Sequence, residues 1–462
     1  MRVLLIQAAV HDTHLERAQP LGLMCLAAYL RATRGDEVRL YDQRLDWQRL
    51  DLALQAFREF QPDAVGIGAH SVDAPALHRL AQAIKAIAPQ TPVIAGGIHS
   101  TLSWKEILAD QAVDYAAIGE GENTLREWLD ALAGGVPEAV PGLAFRRDGR
   151  IERSAPRELQ PHLDRFPYPA WDLIDLDAYG RLPRIGVIGK RNRYMAVETA
   201  RGCPFSCAWC HHSMGDKFRA RSADNVVEMF ARLRRDFQVA DLMIIDDLFN
   251  FRPERVEEIL TGVLERDLRL DLAIPNGLRA DFLDDRLLRL MRDAGVYRIM
   301  IAVETASPRL QKEMGKNLDL EKARRVIAKA TDLGISVHGN FMIGLPTETE
   351  PEMRATIRFA ARSRLDTFGL YRATPFKGTT LYEMAKKSGV VLPDGETAYS
   401  FWDTHLNVSP IPLEVLNRAR RWSYPYFYLR LGRLWRLLRR FAGRPRLLLF
   451  LTMFFFKKLV SK

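Results

Sequence analysis

Three of the four cysteines lie close together, as Cys203, Cys207 and Cys210 in a C-x3-C-x2-C spacing. The fourth, Cys25, lies far upstream in an apolar helical segment, and we expect it to be a small buried hydrophobe. A disulfide framework would distribute cysteines in pairs along the chain. A clustered triplet in a reducing compartment instead indicates metal or redox chemistry.

Gly202 and Pro204 flank the first cysteine, and this favours a loop over a helix. Three thiolates can hold a [4Fe–4S] cubane and leave one iron open to a further ligand. Other interpretations of the triplet are a buried helical stripe, a structural zinc site completed by a neighbouring histidine, and a haem-attachment C-x-x-C-H motif ending at His211.

The cysteine loop follows a predicted strand and carries Trp209 before its last cysteine, and in these respects it resembles the signature of the radical S-adenosylmethionine (SAM) superfamily. The resemblance implies that SAM binds the open iron and is cleaved to a 5′-deoxyadenosyl radical. Further downstream, Asp246-Asp247, Asn276–Arg279, Val303–Ser307 and Gly339–Glu348 resemble family segments at successive strand ends. The resemblance to this superfamily therefore implies that the following residues bind the cofactors: Trp209, Asp247, Arg279, Glu304, Ser307, Gly344 and Pro346.

Residues 193–400 alternate predicted strands with amphipathic helices, which is typical of a full or partial TIM-like barrel. The strands are predicted at Tyr194–Glu198, Leu242–Asp246, Leu270–Ile274, Tyr297–Val303, Ser336–Ile343 and Thr367–Tyr371. The helices between them include Ala223–Phe237, Asp284–Ala294 and Leu320–Leu333.

Residues 1–135 show the same alternation and predict a Rossmann- or flavodoxin-like domain with a parallel sheet. Ligands bind such sheets beyond the carboxyl ends of the strands, where this chain has glycine-rich turns. The segments Pro20–Leu23, Ala95–His99 and Ile118–Glu122 resemble the cobalamin-binding domain that precedes the barrel in one class of radical SAM proteins. This resemblance implies cobalamin contacts at Gly96, Gly97, His99, Gly119, Glu120 and Gly121.

Cobalt ligation stays open, because a complete D-x-H-x-x-G loop, as in cobalamin mutases, is absent. A domain of this fold that binds nothing, or another ligand, is the alternative. Residues 136–192 are predicted to be a linker containing a hairpin with its turn at Asp148-Gly149.

Residues 401–462 form a predicted helical and basic C-terminal region. From Arg418 onward the chain has 13 of its 67 Lys and Arg residues and no Asp or Glu, so the rest of the chain is nearly neutral. This distribution argues against a general nucleic-acid-binding surface. The longest uncharged apolar run, Leu447–Phe456, is half the roughly 20 residues that a spanning helix needs.

A basic, aromatic segment of this kind is typical of a helix lying on an anionic membrane surface. Alternatively, Tyr424, Tyr426, Phe427 and Trp435 cover the barrel as ordinary core while the arginines are solvated. The N-terminal MRVLLIQAAV lacks the long apolar region of a secretory signal, and we expect a cytoplasmic protein, peripherally membrane-associated through this region.

Together these features predict an α/β enzyme that uses a [4Fe–4S] cluster, SAM and cobalamin to methylate an unactivated carbon of a hydrophobic substrate such as a polyprenoid, hopanoid or porphyrin. A flavodoxin or ferredoxin is the expected electron donor. The alternative reaction is an oxygen-independent cyclisation, as in the anaerobic magnesium-protoporphyrin monomethyl ester cyclase. Two alternatives of other classes are a non-catalytic cobalamin-binding sensor and a structural zinc protein.

Overall fold

The computed structural model describes residues 1–10, 18–46, 49–182, 189–392 and 406–441. These residues form two compact units, the first containing the described residues up to 182 and the second nearly all of those from 189 onward. No helix in these ranges combines the length and hydropathy needed to cross a membrane. The division into the four regions 1–135, 136–192, 193–400 and 401–462 remains a prediction.

The first unit is built on a sheet whose strand order is β2-β1-β3-β4-β5-β6-β7. Strands β1 to β5 run parallel, and β6 and β7 are antiparallel. Its strands are β1 (Arg2–Gln7), β2 (Glu37–Asp42), β3 (Ala64–Gly68), β4 (Val93–Gly96), β5 (Tyr115–Ala117), β6 (Leu143–Arg147) and β7 (Arg150–Arg153). Its helices are α1 (Leu21–Arg34), α2 (Leu50–Phe60), α3 (Ala74–Ile87), α4 (Ile98–Ala109), α5 (Gly121–Leu132) and α6 (Leu176–Gly180).

Burial explains why these strands form a parallel sheet. Every residue of β3 is buried, which is typical of a strand covered by helices on both faces. Two apolar clusters lie in the unit, one containing Leu4 and Ile67 and the other Leu5 and Trp128. Because neighbouring residues of β1 enter different clusters, each face of the sheet has its own core.

The hairpin in the predicted linker is confirmed and belongs to the first sheet, since β6 pairs with β5. Asp148 and Gly149 have φ values of 48° and 75°. A two-residue hairpin turn with both central residues at positive φ matches the twist of the flanking strands.

The second unit contains a six-stranded parallel sheet with the order β15-β14-β13-β12-β11-β8. Its two edge strands are not paired with each other, so the predicted barrel is a partial one. The strands are β8 (Tyr194–Val197), β9 (Ala200–Arg201), β10 (Arg219–Ala220), β11 (Asp241–Ile244), β12 (Asp271–Leu278), β13 (Val296–Glu304), β14 (Ser336–Ile343) and β15 (Thr367–Arg372). The helices are α7 (Ala223–Asp236), α8 (Pro253–Glu265), α9 (Asp285–Asp293), α10 (Pro308–Glu313), α11 (Leu320–Asp332), α12 (Glu350–Arg362), α13 (Thr380–Lys387), α14 (Leu413–Tyr428) and α15 (Leu431–Phe441).

The strand β12 extends four residues beyond its predicted end at Ile274. Asn276–Leu278, expected to follow the third strand, lie inside β12, whose pairing with β13 shifts register between Ile274 and Gly277. A bulge lets a strand resume pairing after unpaired residues, and local periodicity does not reveal it. The apolar run Leu447–Phe456 of the C-terminal region lies outside the described residues.

Candidate active site

The cysteine triplet lies in a loop that leaves β9 and returns at β10. These two short strands pair antiparallel, with Arg201 opposite Arg219, and so close the base of the loop. No residue from Gly202 to His211 is helical. The helical-stripe interpretation of the three cysteines is therefore wrong.

The three thiols differ in exposure: Cys207 is buried, Cys203 is half-buried and Cys210 is exposed. The neighbouring Cys210 thiol lowers the pKa of Cys207, whereas Cys207 and burial raise the pKa of Cys210. The positive charge of Lys316 acts to lower the pKa of all three thiols. The loop thus gathers soft sulfur donors beside a fixed cation.

A turn after α10 supports the back of the cysteine loop. The Met314 carbonyl accepts a hydrogen bond from the Ala208 N–H at 3.0 Å. Gly315 has a φ of 68°, and a Cβ at this position would lie 2.8 Å from the Ser206 carbonyl oxygen. Because of this close approach, only glycine lets the turn and the loop pack together.

Arg279 connects the same turn to the loop from the other side. It is buried, and its guanidinium lies 3.9 Å from the centroid of the Phe205 ring. It donates hydrogen bonds to the carbonyl oxygens of Lys316 at 2.9 Å and Asn317 at 3.3 Å, and to the Asp281 carboxylate at 2.7 Å. The planar guanidinium therefore fixes three segments at once.

Two of the predicted carboxylates lie at the carboxyl ends of β11 and β13, which flank β12 in the sheet. Asp247 follows β11 and accepts a hydrogen bond from the Gly202 N–H at 2.9 Å. Glu304 ends β13 with a φ of 67°, a left-handed conformation that is uncommon for glutamate and clusters at functional sites. Burial raises the pKa of Glu304 to about 7, while the charge of Lys316 acts in the opposite direction.

The predicted residues after β14 form a tight turn. Gly344 has a φ of 80°, and Pro346 is buried. The buried carboxylate of Glu348 accepts hydrogen bonds from the backbone N–H groups of Gly344 at 2.5 Å and Leu345 at 3.2 Å. The turn conformation is therefore fixed by its own glutamate.

The other two predicted residues of this unit have structural partners. The indole of Trp209 packs partly buried against an apolar cluster that contains Leu345 and Leu381. The Ser307 hydroxyl caps α10 by accepting from the Leu310 N–H at 3.2 Å, and it donates to Glu352 at 2.6 Å. The structure thus brings Asp247, Arg279 and Glu304 to the cysteine loop by contact or charge, and uses Ser307 in a cap.

The predicted cobalamin residues lie at the carboxyl ends of β4 and β5. Gly97 directly precedes α4 with a φ of 92°, and a Cβ there would lie 3.0 Å from the Ala69 carbonyl oxygen. The Gly119 N–H donates to the Thr101 hydroxyl at 3.0 Å, which links the end of β5 to α4. A Cβ on Gly96 or Gly119 would meet open space.

The remaining three residues of this set are packed into the unit. His99 is fully buried, with its Nδ1 3.3 Å from the Ser71 hydroxyl oxygen. Glu120 is buried and accepts from the Gln160 N–H at 3.3 Å. Gly121 begins α5 against Leu26, where a Cβ would approach the leucine to 3.0 Å.

The donor sets fit the groups that the sequence implies. Three thiols in one loop are the ligands that iron–sulfur clusters use. The buried cations Arg279 and Lys316 offset the negative charge of such thiolates. In the first unit, open backbone at Gly96 and Gly119 suits a large flat ligand at the sheet edge. Across the described ranges, no three His, Cys, Asp or Glu side chains are grouped to hold a single metal ion.

Sequence reasoning did not single out Lys316, Gly315 or Glu348 as site residues. All three lie near the strand-end segments, yet their roles depend on contacts with residues 30 to 110 positions away or on a turn geometry. The sequence feature that could have indicated Gly315 and Lys316 is a glycine followed by a lysine, downstream of the strand-end segment Val303–Ser307.

Two family models match the chain. The Radical SAM superfamily model matches residues 197–360, which contain the cysteine loop and most of the partial barrel. The B12 binding domain model matches residues 9–129, which contain β2 to β5 of the first unit. The first implies a [4Fe–4S] cluster and SAM, and the second implies cobalamin.

Several relatives match most of the chain. An uncharacterised methyltransferase of Pyrococcus horikoshii is 28% identical over 438 residues, covering 93% of each protein. The cytidylyl-2-hydroxyethylphosphonate methyltransferase of Streptomyces wedmorensis is 29% identical over 81% of this chain and 79% of its own length. The anaerobic magnesium-protoporphyrin IX monomethyl ester cyclase of Rubrivivax gelatinosus is 26% identical over 83% of this chain and 70% of its own.

The fold is shared with a solved structure. The radical SAM methyltransferase TsrM of Kitasatospora setae superposes with a TM-score of 0.71 at 20% identity, over 84% of this chain and 77% of the TsrM chain. The fold, the cysteine loop and both family models agree. The chain therefore belongs to the radical SAM proteins that also carry a B12-binding domain.

Proposed function

We propose that the protein is a cobalamin-dependent radical SAM methyltransferase acting on an unactivated carbon of a small hydrophobic molecule. The observation that carries this proposal is the three-thiol loop beside buried Arg279 and Lys316, in a chain that also has a B12-binding domain. The two methyltransferase relatives, which match 93% and 81% of the chain, support methyl transfer.

When bound, the cluster and SAM supply a radical that removes a hydrogen atom from a C–H bond, and cobalamin supplies the methyl group. Cys203, Cys207 and Cys210 hold the cluster, and Arg279 fixes the loop that carries them through Phe205. Lys316 provides positive charge for an anionic cluster or for the SAM carboxylate. Asp247, Glu304 and the turn at Gly344 offer carboxylate and backbone groups for the rest of SAM.

The second candidate is an oxidative cyclisation of a porphyrin-type substrate. It is supported by the cyclase relative, which matches 83% of this chain. The two reactions differ in their SAM products, because methyl transfer from SAM leaves S-adenosylhomocysteine whereas a radical cyclisation yields 5′-deoxyadenosine alone.

Two partners belong to the same proposal. A reducing protein such as a flavodoxin or ferredoxin would supply electrons to the cluster. Peripheral association with a membrane through the C-terminal region would bring the enzyme to substrates that partition into lipid.

The test uses anaerobically reconstituted protein with hydroxocobalamin, SAM and a chemical reductant. We expect both 5′-deoxyadenosine and S-adenosylhomocysteine, and loss of 5′-deoxyadenosine in Cys203→Ser but not in Cys25→Ser, which changes the cysteine outside the loop. Formation of 5′-deoxyadenosine alone would favour the cyclase. Absence of SAM cleavage in iron-loaded wild-type protein would contradict both reactions.

A further inference from the structure

The last described helix, α15, exposes its apolar side. Leu431, Leu434, Trp435 and Leu438 are spaced i, i+3, i+4 and i+7 and form one stripe along the helix. Their exposed fractions are 84%, 40%, 60% and 47%. An amphipathic helix of a globular protein normally turns such a stripe toward the core, whereas α15 turns it outward.

Arginine holds the helix in this orientation. Arg433 is buried and donates to the carbonyl oxygens of Ser363 at 2.7 Å, Leu365 at 2.8 Å and Ala361 at 3.0 Å, and also to the Phe427 carbonyl. The acceptor carbonyls of Ala361 and Ser363 lie at the carboxyl end of α12, where a cation is favoured by the helix dipole. The inward face of α15 is therefore cationic, and its outward face is apolar.

Arg436 adds to this attachment. Its guanidinium lies 3.5 Å from the fully buried carboxylate of Asp366. A buried carboxylate needs such a partner, so the contact opposes rotation of the helix about its axis. The outward direction of the stripe is therefore fixed by the side-chain contacts of α15 itself.

The preceding helix and the residue after it also expose apolar side chains. Trp422 of α14 and Leu429, directly after α14, are 67% exposed each, whereas Phe427 is buried and stacks on Phe368 at 4.2 Å between ring centroids. The ordinary-core interpretation thus holds for Tyr424 and Phe427, which are buried, and is wrong for Tyr426 and Trp435, which are exposed.

The charged residues of α15 are all arginines, and the carboxylate beside Arg436 is the buried Asp366. Arg418 and Arg421 on α14, Arg430 between the two helices and Arg439 on α15 are exposed, and no acidic residue occurs from Arg418 to the end of the chain. Two copies meeting through this face would bring like charges together, which is unfavourable. An anionic lipid surface offers both an apolar layer and opposite charge.

We propose that the stripe of α15, Leu431, Leu434, Trp435 and Leu438, is a docking surface for an anionic membrane. The leucines and the indole enter the headgroup boundary, and the exposed arginines pair with lipid phosphates. This inference deepens the membrane association in the proposed function. Vesicle binding requires no cofactor, so its failure would leave the proposed reaction untouched.

The experiment is co-sedimentation of the full-length protein with phosphatidylcholine vesicles that contain about 30% phosphatidylglycerol, compared with pure phosphatidylcholine vesicles. We expect at least about tenfold tighter binding to the anionic vesicles, weakened by salt. The variant Trp435→Ser/Leu438→Ser should reduce binding by about tenfold or more, because it removes half of the stripe. The control Leu264→Ser/Val391→Ser changes exposed apolar residues elsewhere in the second unit and should bind like the wild type.

All four substituted positions are exposed, so we expect unchanged unfolding midpoints for both variants. Equal binding to neutral and anionic vesicles would overturn the proposal, as would wild-type binding by the stripe variant. Concentration-dependent dimerisation that the stripe variant abolishes would also overturn it, because the occupant would then be a second copy.

Discussion

Substitution of Gly315 by alanine should damage the cysteine loop specifically. Gly315 and Gly334 both have positive φ, 68° and 86°, so alanine at either position carries a left-handed backbone penalty of about 1 kcal/mol. Only at Gly315 does the new Cβ meet backbone, 2.8 Å from the Ser206 carbonyl oxygen. Relief of that contact requires the loop to move, which adds about 1–3 kcal/mol.

Comparison of Gly315→Ala with Gly334→Ala separates the effect of backbone strain from the effect of displacing the cysteine loop. Urea denaturation of both variants should show losses of about 2–4 kcal/mol for Gly315→Ala and about 1 kcal/mol for Gly334→Ala. After reconstitution, iron per chain should fall in Gly315→Ala and stay at the wild-type level in Gly334→Ala, since a displaced loop misplaces its thiols. Equal stability and equal iron in the two variants would refute the claim that this turn supports the loop.

Two further substitutions test the contacts around the site. Arg279→Leu removes four charge-assisted hydrogen bonds and the Phe205 contact, so unfolding free energy should fall by about 3–5 kcal/mol in denaturation, against under about 0.5 kcal/mol for the exposed Arg269→Leu. The Arg309 guanidinium donates to Glu352 and lowers the pKa of that carboxyl from 4.5 to about 2. The stabilisation of the folded state by this ion pair is therefore complete above about pH 4.5 and is lost as the pH falls toward 2. Glu352→Gln should therefore lose stability at pH 7, on the order of 1–2 kcal/mol, and match the wild type near pH 2; a constant difference across this range would exclude the ion pair as its cause.

Local pattern was sufficient for most of the fold. The strand Ser336–Ile343 has its predicted bounds, and the hairpin turn at Asp148-Gly149 lies where the sequence predicts it, because both follow from residues that are contiguous in the chain. The cysteine loop could also be predicted from the sequence, because its three cysteines, its glycine and its proline lie within a few residues of one another.

What the sequence could not provide depends on distant contacts. Lys316 becomes a site residue only because the turn after α10 packs on a loop about a hundred residues earlier. The orientation of α15 is a tertiary effect: its period predicts an apolar face but not that Arg433 finds the carbonyl oxygens at the end of α12. The register shift in β12 is likewise set by its partner strand.

The central claim is that Cys203, Cys207 and Cys210 together hold a [4Fe–4S] cluster. Its most direct test is metal analysis with electron paramagnetic resonance of the dithionite-reduced protein after anaerobic reconstitution. We expect about four irons per chain and a cubane signal that changes when SAM is added, with both lost in the Cys203→Ser/Cys207→Ser/Cys210→Ser variant and retained in Cys25→Ser. Zinc in place of iron in the wild type, or a full iron complement in the triple variant, would contradict the account.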